Sequence, residues 1–386
     1  MPLWRYHPPV HGALPAGAIA AALAARSSHG AEAARARATA ALVARYPGRV
    51  IHLVDSGTGA LTLALARSRR SRDRPVVALP AYACPDVGTA ALGAGYAIRL
   101  YDTDPDTLQP DPASVGQALT EGATHVVCTH LFGRLVDVAS LASLVTSHGA
   151  VLIEDAAQHA GGTLRGVRGG ALASLSILSF GRGKGLNAGG GGALLMPHGV
   201  MDEGPSVMAP PPSGSRILCA AVLADQLSSP WLYRLPARVP ALGIGETRYH
   251  APRPVAAMSG VSAALLTLAL EAEPAALAGR RAAEAAYHEA LSEQPGVLCA
   301  RHPEGESGAL RCPVRLDTAV AAPLAAFGVV RSYPRTLAAY PEIAAVVTGR
   351  RDWPGARALA ARLHTLPTHA RLGAAERVAL LARLTG

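Results

Sequence analysis

The chain has 386 residues, half of them hydrophobic, and a mean hydropathy of +0.22, which excludes a disordered polymer and leaves length for one large domain plus a smaller one. The net charge of +9 favours anionic partners such as phosphates, but the densest basic run (Arg67, Arg69, Arg70, Arg72, Arg74) carries no aromatic residues and reads as a solvated loop, not a nucleic-acid surface. No run approaches the ~18 apolar residues of a membrane span, and the Ala-rich stretch 13–25 is broken by Pro15 and Gly17 and lacks the basic start of a secretion signal.

In chain order, residues 1–12 form an extended arm, and two Ala-rich helices follow near 16–26 and 31–46. Residues 50–54 (VIHLV) read as a buried strand running into Ser56-Gly57-Thr58-Gly59 and an apolar helix. A strand, a small-residue turn and a helix N-terminus present free N–H groups and the positive end of the helix dipole, so this is a phosphate cup. It is neither a dinucleotide fingerprint, since Thr62 stands where the third glycine belongs, nor a P-loop, since no GK[ST] follows. Strands at 76–79, 96–101, 125–129 and 150–154 then alternate with helices ending near 94 and spanning 111–119 and 138–147, which predicts a mostly parallel sheet with helices on both faces. Ligands of such sheets gather at the carboxyl ends of strands, and Ser56, Tyr82, His130 and Asp155 all sit there. The acidic turn Asp102 to Asp106 reads as solvated, not as a metal loop.

A strand at 174–180 and another at 193–196 bracket GRGKGLNAGGGG. Residues 197–255 are an irregular, proline-rich excursion interrupted by a helix at 215–228. The tract 258–291 is a long helix, and the rest (strand 309–316, helices 320–326, 355–363 and 374–384) forms a smaller α+β domain, giving a division at 1–255 and 256–386. The five cysteines (Cys84, Cys128, Cys219, Cys299, Cys312) are odd in number and form no CxxC pair, which argues for reduced thiols and a cytoplasmic setting.

Of the 36 basic residues, Lys184 alone is lysine. Guanidinium cannot replace an amine that must deprotonate and attack a carbonyl, so a lysine kept in an otherwise all-arginine chain points to Schiff-base chemistry. Asp155 follows a hydrophobic strand, where a carboxylate needs a cationic partner. A lone amine, a carboxylate and a phosphate cup are the protein parts that pyridoxal 5′-phosphate requires: the lysine holds its aldehyde, the aspartate its protonated ring nitrogen, and the cup its phosphate.

Glu154-Asp155-Ala156-Ala157-Gln158, Ser179-Phe180, Lys184 and Gly191-Gly192-Ala193-Leu194 together resemble the signature of the DegT-type aminotransferases. The likeness extends through SGTGALTLAL, LPAYACPDVGTAALGAG, YDTDPDTLQPDPASV and Met258-Ser259. The resemblance implies the α/β, three-layer, aspartate-aminotransferase-like fold (fold type I) and a homodimer with sites at the subunit boundary. It also implies transfer of an amino group from an amino acid, glutamate first, to a keto-sugar, nucleotide-linked in most relatives, or to another small carbonyl of specialised metabolism. By position, Lys184 is the Schiff-base lysine and proton shuttle, Asp155 the partner of the ring nitrogen and Gln158 the neighbour of the ring hydroxyl. Gly57, Thr58 and Ser179 bind the phosphate. The aromatic that usually stacks on the ring falls at Cys84, so either Tyr82 covers the ring or a thinner contact replaces it. Gly185, Gly190 and Val255 stand where the family has Asn, Glu and a partner-subunit Asn; His250 or Arg253 could replace the last.

Two alternatives stay open: the same cofactor with another reaction (elimination, decarboxylation or carbon–carbon bond formation), or a non-catalytic regulatory descendant. No metal site is expected. His364 and His369 lie in a proline-broken segment, and Cys128 with His130 lacks two further ligands. No GxSxG elbow occurs.

Overall fold

In the computed structural model the described residues are 5–69, 75–199, 208–237, 247–292, 304–317 and 321–385. Cys299, Arg70, Arg72, Arg74 and parts of the 197–255 excursion lie outside them. Helices α1 (Ala18–Ala24) and α2 (Ser28–Arg45) lead into β1 (Arg49–Val54). The alternation continues with α3 (Gly57–Ser68), β2 (Val76–Pro80), α4 (Pro85–Gly93), β3 (Ala97–Tyr101), α5 (Pro112–Thr120), β4 (His125–Thr129), α6 (Val138–Ser147) and β5 (Val151–Asp155). Four of these six helices begin where the sequence supplies a side-chain cap: Ser27, Ser56, Asp111 and Asp137 accept from N–H groups of the first turns of α2, α3, α5 and α6.

Two short strands, β6 (Thr163–Leu164) and β7 (Val167–Arg168), precede β8 (Leu175–Ser179) and β9 (Gly192–Pro197). The main sheet has the order β1-β9-β8-β5-β4-β2-β3, parallel except that β9 runs antiparallel to both neighbours. With helices on both faces, its strands are nearly continuously buried: β4 is buried at all five positions. Because β1 and β8 both oppose β9, β1 points the same way as the parallel set. The carboxyl ends of β1, β4, β5 and β8 therefore share one edge.

Helix α7 (Gly214–Leu227), a single turn α8 (Arg234–Ala237) and the long α9 (Gly260–Leu291) follow. By length and composition α9 could span a bilayer. Its apolar side is instead used inside the protein: Val261, Leu265 and Leu270 share a core with α1 and α2, while Tyr287 and Leu291 enter a second, smaller core. That smaller core covers an antiparallel sheet of β11 (Arg311–Arg315), β13 (Leu363–Pro367) and β12 (Val330–Arg331), while β10 (Gly305–Glu306) pairs with β6.

Three local expectations change. The acidic turn is not wholly solvated: Asp102 is buried, and its carboxylate accepts from Gly355 N (2.9 Å) and Ala356 N (2.7 Å), capping the helix Pro354–Arg362 from across the chain. The segment holding His364 is the central strand β13, since a five-residue strand directly after a helix leaves no periodicity to detect. The helix expected at 320–326 is a 3₁₀ turn over Ala322–Phe327. The N-terminal arm is extended and docked, with His7 N donating to Ala326 O (2.9 Å) and His369 Nε2 lying 2.8 Å from Pro8 O.

Candidate active site

A cleft of about 360 Å³ opens at the shared strand edge. Asp55, Thr129, Asp155 and Ser179 reach it from the ends of β1, β4, β5 and β8, Gly57 and Thr58 from the first turn of α3, and Lys184 from the loop between β8 and β9. Residues that are distant in sequence meet because parallel strands bring their carboxyl ends level: Thr129 pairs with Asp155, and Asp155 with Ile177.

The cup is tightly built. Ser56 Oγ accepts from Gly59 N (3.0 Å) to cap α3. A Cβ on Gly57 would lie 2.6 Å from Ser179 Cβ, and one on Gly192 would lie 2.3 Å from Ser56 O. Only glycine lets the helix start sit this close to β8 and β9, leaving the first N–H groups of α3, the Thr58 side chain and Ser179 around one small space.

Lys184 follows Gly183, which has φ +78°, and its own N–H donates to Gly181 O (3.2 Å). Its side chain has no hydrogen bond or ion pair among the described residues. Gly185 is explained by contact: a Cβ there would meet Ala160 Cβ at 2.5 Å, so an asparagine has no room. At Gly190 the nearest atom to such a Cβ is Ser262 Oγ at 3.7 Å, and nothing in the structure explains that glycine.

Asp155 is buried. Its Oδ1 accepts from Ala157 N (3.0 Å) and its Oδ2 from Thr129 Oγ1 (3.2 Å), and no ion pair is formed among the described residues. Burial pushes its carboxyl above the usual range, and the Ala157 N–H, Lys184 and His130 only partly offset this. A buried acid with hydrogen bonds but no cation fits a protonated ring nitrogen. Gln158 lines the cleft with its amide clamped: Oε1 accepts from Phe132 N (3.3 Å) and Nε2 donates to the Tyr333 hydroxyl (2.7 Å).

The cleft receives Cys84, not Tyr82. Cys84 stands at the N-cap of α4, and burial pushes its thiol up to about 12, so it is a small neutral wall and not a nucleophile. Tyr82 is fully buried, edge-on to Tyr333 with ring centroids 5.4 Å apart. Its hydroxyl faces the Tyr333 backbone without a hydrogen bond of normal geometry. His130 also turns away from the cleft, to Glu154.

Several residues of the site were not singled out from sequence. Asp55, Asp86, Thr129 and Arg182 line the cleft, and Arg253, earlier only a possible stand-in for the partner Asn, pairs with Asp55 at 2.7 Å. Thr129 and Asp55 end strands, a positional signal available in advance; the partner of Asp55 was not. Val255 packs toward Gly59, 3.6 Å from where its Cβ would lie, as an apolar contact. Of the competing constellations, His364 and His369 turn to Arg362 O (3.0 Å) and Pro8 O (2.8 Å), and no metal-binding group of three occurs among the described residues.

Residues 30–209 match the DegT/DnrJ/EryC1/StrS aminotransferase family. The chain is similar to the L-glutamine:2-deoxy-scyllo-inosose aminotransferase of Streptomyces paromomycinus, 37% identical over 165 residues, which is 42% of this chain and 38% of the relative. It is also similar to the 3-amino-5-hydroxybenzoate synthase of Amycolatopsis mediterranei, 34% identical over 39% of this chain and 38% of the relative. The chain thus spans under two fifths of the length of these curated relatives. Among solved structures, the sugar aminotransferase CalS13 of Micromonospora echinospora superposes with a TM-score of 0.76 at 22% identity, covering 98% of each chain. DesI in the presence of its TDP-sugar product gives 0.72 at 23% identity, covering 99% of this chain and 93% of that one. At these identities the likeness establishes the fold.

Proposed function

We propose that this chain, which carries a DegT/DnrJ/EryC1/StrS aminotransferase family domain, is a pyridoxal 5′-phosphate-dependent aminotransferase that moves an amino group from an amino acid to the ketone of a polyhydroxylated ring. The observation that carries this reading is that Lys184, Asp155 and the α3 cup line one cleft.

When bound, the cofactor supplies a conjugated ring that takes up the electron pair left when a substrate carbon loses its proton. The chain's own residues do the rest. The α3 N-terminus, Thr58 and Ser179 hold the phosphate. Asp155 would hold the protonated ring nitrogen, and Gln158, its amide held at both ends, would be the neighbour of the ring hydroxyl. Cys84 bounds the ring with less contact than an aromatic would. The Lys184 amine, with no competing ion pair, is free to carry a proton at Nζ to and from the substrate carbon.

The acceptor is proposed to be a keto-sugar or cyclitol ketone in specialised metabolism. Relatives named for 2-deoxy-scyllo-inosose support an unconjugated ring, and the fold neighbour with its TDP-sugar product supports a nucleotide-linked one. The donor is glutamine, by the same relatives, or glutamate. A homodimer is part of this reading: Ile19 and Leu23 of α1, Leu223 of α7, and Trp231 and Leu235 nearby are exposed apolar side chains suited to a second copy. The free thiols of Cys84, Cys128 and Cys219 agree with a reducing, cytoplasmic setting.

The test is chemical. Purified protein incubated with the cofactor is reduced with borohydride, digested and mapped; the pyridoxyl group should be found on Lys184 and nowhere else, and Lys184→Ala should be neither labelled nor active. A label elsewhere, or a wild-type protein that takes up none, removes the reading and leaves a binding protein of the same fold. With activity in hand, UDP and dTDP at millimolar levels separate the acceptors: inhibition of the second half-reaction means nucleotide-linked, indifference means unconjugated.

A further inference from the structure

The cup contains a feature that an anion site should not tolerate. Asp55 sits directly beneath the first turn of α3: a Cβ on Gly59 would lie 2.8 Å from its Oδ1, and its side chain is 3% exposed. Its neutral contacts are weak, with Ser56 Oγ and Ala256 N both at 3.4 Å. A phosphate monoester bound at the same helix start brings about two further negative charges, and the half-charge of a helix dipole does not compensate both groups. Two anions sharing a partly dry site need a cation between them.

Arg253 supplies that cation. The strap 247–257 crosses the cup and is tied along its length: Thr247 Oγ1 donates to Ser332 O (2.9 Å), Thr89 Oγ1 to His250 O (2.8 Å), and Asp55 N to Ala256 O (2.9 Å). Between these ties Arg253 places its Nη2 2.7 Å from Asp55 Oδ2, with its side chain 67% exposed. Arg253 and Asp55 both line the cleft and also a neighbouring cavity of about 380 Å³. A guanidinium has five N–H donors in a rigid fork, so pairing with Asp55 leaves donors to spare.

We infer that Arg253 is a cofactor-binding residue that bridges Asp55 and the cofactor's phosphate, so that the strap and the phosphate are fastened by one guanidinium. The inference rests on the cofactor reading above. It makes Arg253 matter in two ways: as a charge-assisted donor to the phosphate, and as the counter-charge that stands between the phosphate and the Asp55 side chain.

The test titrates apoprotein with pyridoxal 5′-phosphate and, in parallel, with pyridoxal, which lacks the phosphate, following absorbance of the lysine-bound chromophore. Arg253 is exposed, so Arg253→Met should leave the fold intact. Its Kd for the phosphorylated cofactor should rise about tenfold or more, the scale of a lost charge-assisted contact, while that for pyridoxal stays within about twofold. Asp55→Asn in the Arg253→Met background should recover part of the loss, the part due to the unscreened carboxylate, while the part due to the lost donor remains. An Arg253→Met Kd within about threefold of wild type, or an equal loss for both ligands, overturns the assignment to phosphate; a double variant as weak as Arg253→Met overturns the bridge. Wild-type protein that binds neither ligand would count against the cofactor reading itself, a result distinguishable from either.

Discussion

Glu154 and Asp155 are consecutive residues of β5, and their side chains leave the strand on opposite faces. On one face Glu154 is fully enclosed and fully answered. Its oxygens accept from the backbone N–H groups of Gly170, Leu172 and Ala173, from Ser176 Oγ and from His130 Nε2 at 2.8 Å. Val136 N donates to His130 Nδ1, which leaves the ring proton on Nε2 for Glu154. Burial alone would raise this carboxyl, but the His130 contact and the backbone donors outweigh it and hold it below the ordinary range. On the other face Asp155 has two donors and, among the described residues, no paired cation, and burial wins. Two buried carboxylates one residue apart thus divide the work: one is complete within the chain and ties the loop between β7 and β8 to the sheet, while the other is left open toward the cleft. A buried acid that its own chain does not satisfy marks a place where a ligand supplies the missing charge.

The contrast can be broken residue by residue. The largest effect belongs to the open side. Asp155→Asn should slow the amino-transfer half-reaction by on the order of 10²–10³, as for other preorganised electrostatic partners, while thermal stability holds or rises because an uncompensated buried charge is gone. Stopped-flow spectroscopy with the amino donor reads the rate; near wild-type rates would show that Asp155 does not serve the ring nitrogen.

The closed side should respond in the opposite sense. Glu154→Gln sets an NH₂ against a ring of N–H donors, at a cost of about 3–5 kcal/mol. Denaturant unfolding should show the midpoint falling steeply, with residual activity in proportion to folded protein. A variant as stable as wild type would remove Glu154 from the scaffold.

Acid sharpens the comparison through two histidines that burial keeps neutral. Burial lowers His159 and His369 to about 4, so on unfolding each takes up a proton at mildly acidic pH. Folded values below the unfolded one mean that stability is full above about pH 6.5 and is lost as pH falls toward 4, roughly 2 kcal/mol per histidine by pH 5. Unfolding followed between pH 7.5 and 5 should show this slope, and His369→Gln should flatten it; a pH-independent midpoint would refute the burial argument. The smallest effect is expected at Tyr82→Phe. Its hydroxyl lacks a well-formed hydrogen bond, so stability should change by no more than about 0.5 kcal/mol and turnover by less than about twofold. A large kinetic loss would return Tyr82 to the site.

Much of this was legible in the residues alone. The strand–helix alternation shows in hydrophobic periodicity and small-residue turns, and parallel topology follows because such units bury both sheet faces. The gathering of Gly57, Thr58, Asp155, Ser179 and Lys184 at one edge follows from each standing at a strand end, in a loop or at a helix start. Those features are local: a few neighbours decide them. Tertiary structure decided the rest, because it turns on contacts between distant segments and on packing at single-atom scale. Whether Tyr82 or Cys84 faces the cleft depends on how the turn after β2 meets Tyr333. That Gly185 cannot carry a side chain depends on Ala160. Asp102 reads as a surface acid until the helix at 354 arrives to be capped by it, and Asp55 becomes part of a bridge only when the strap lays Arg253 across the cup. Periodicity encodes which elements form and which face they bury; it carries no record of which side chain from far along the chain completes a charge.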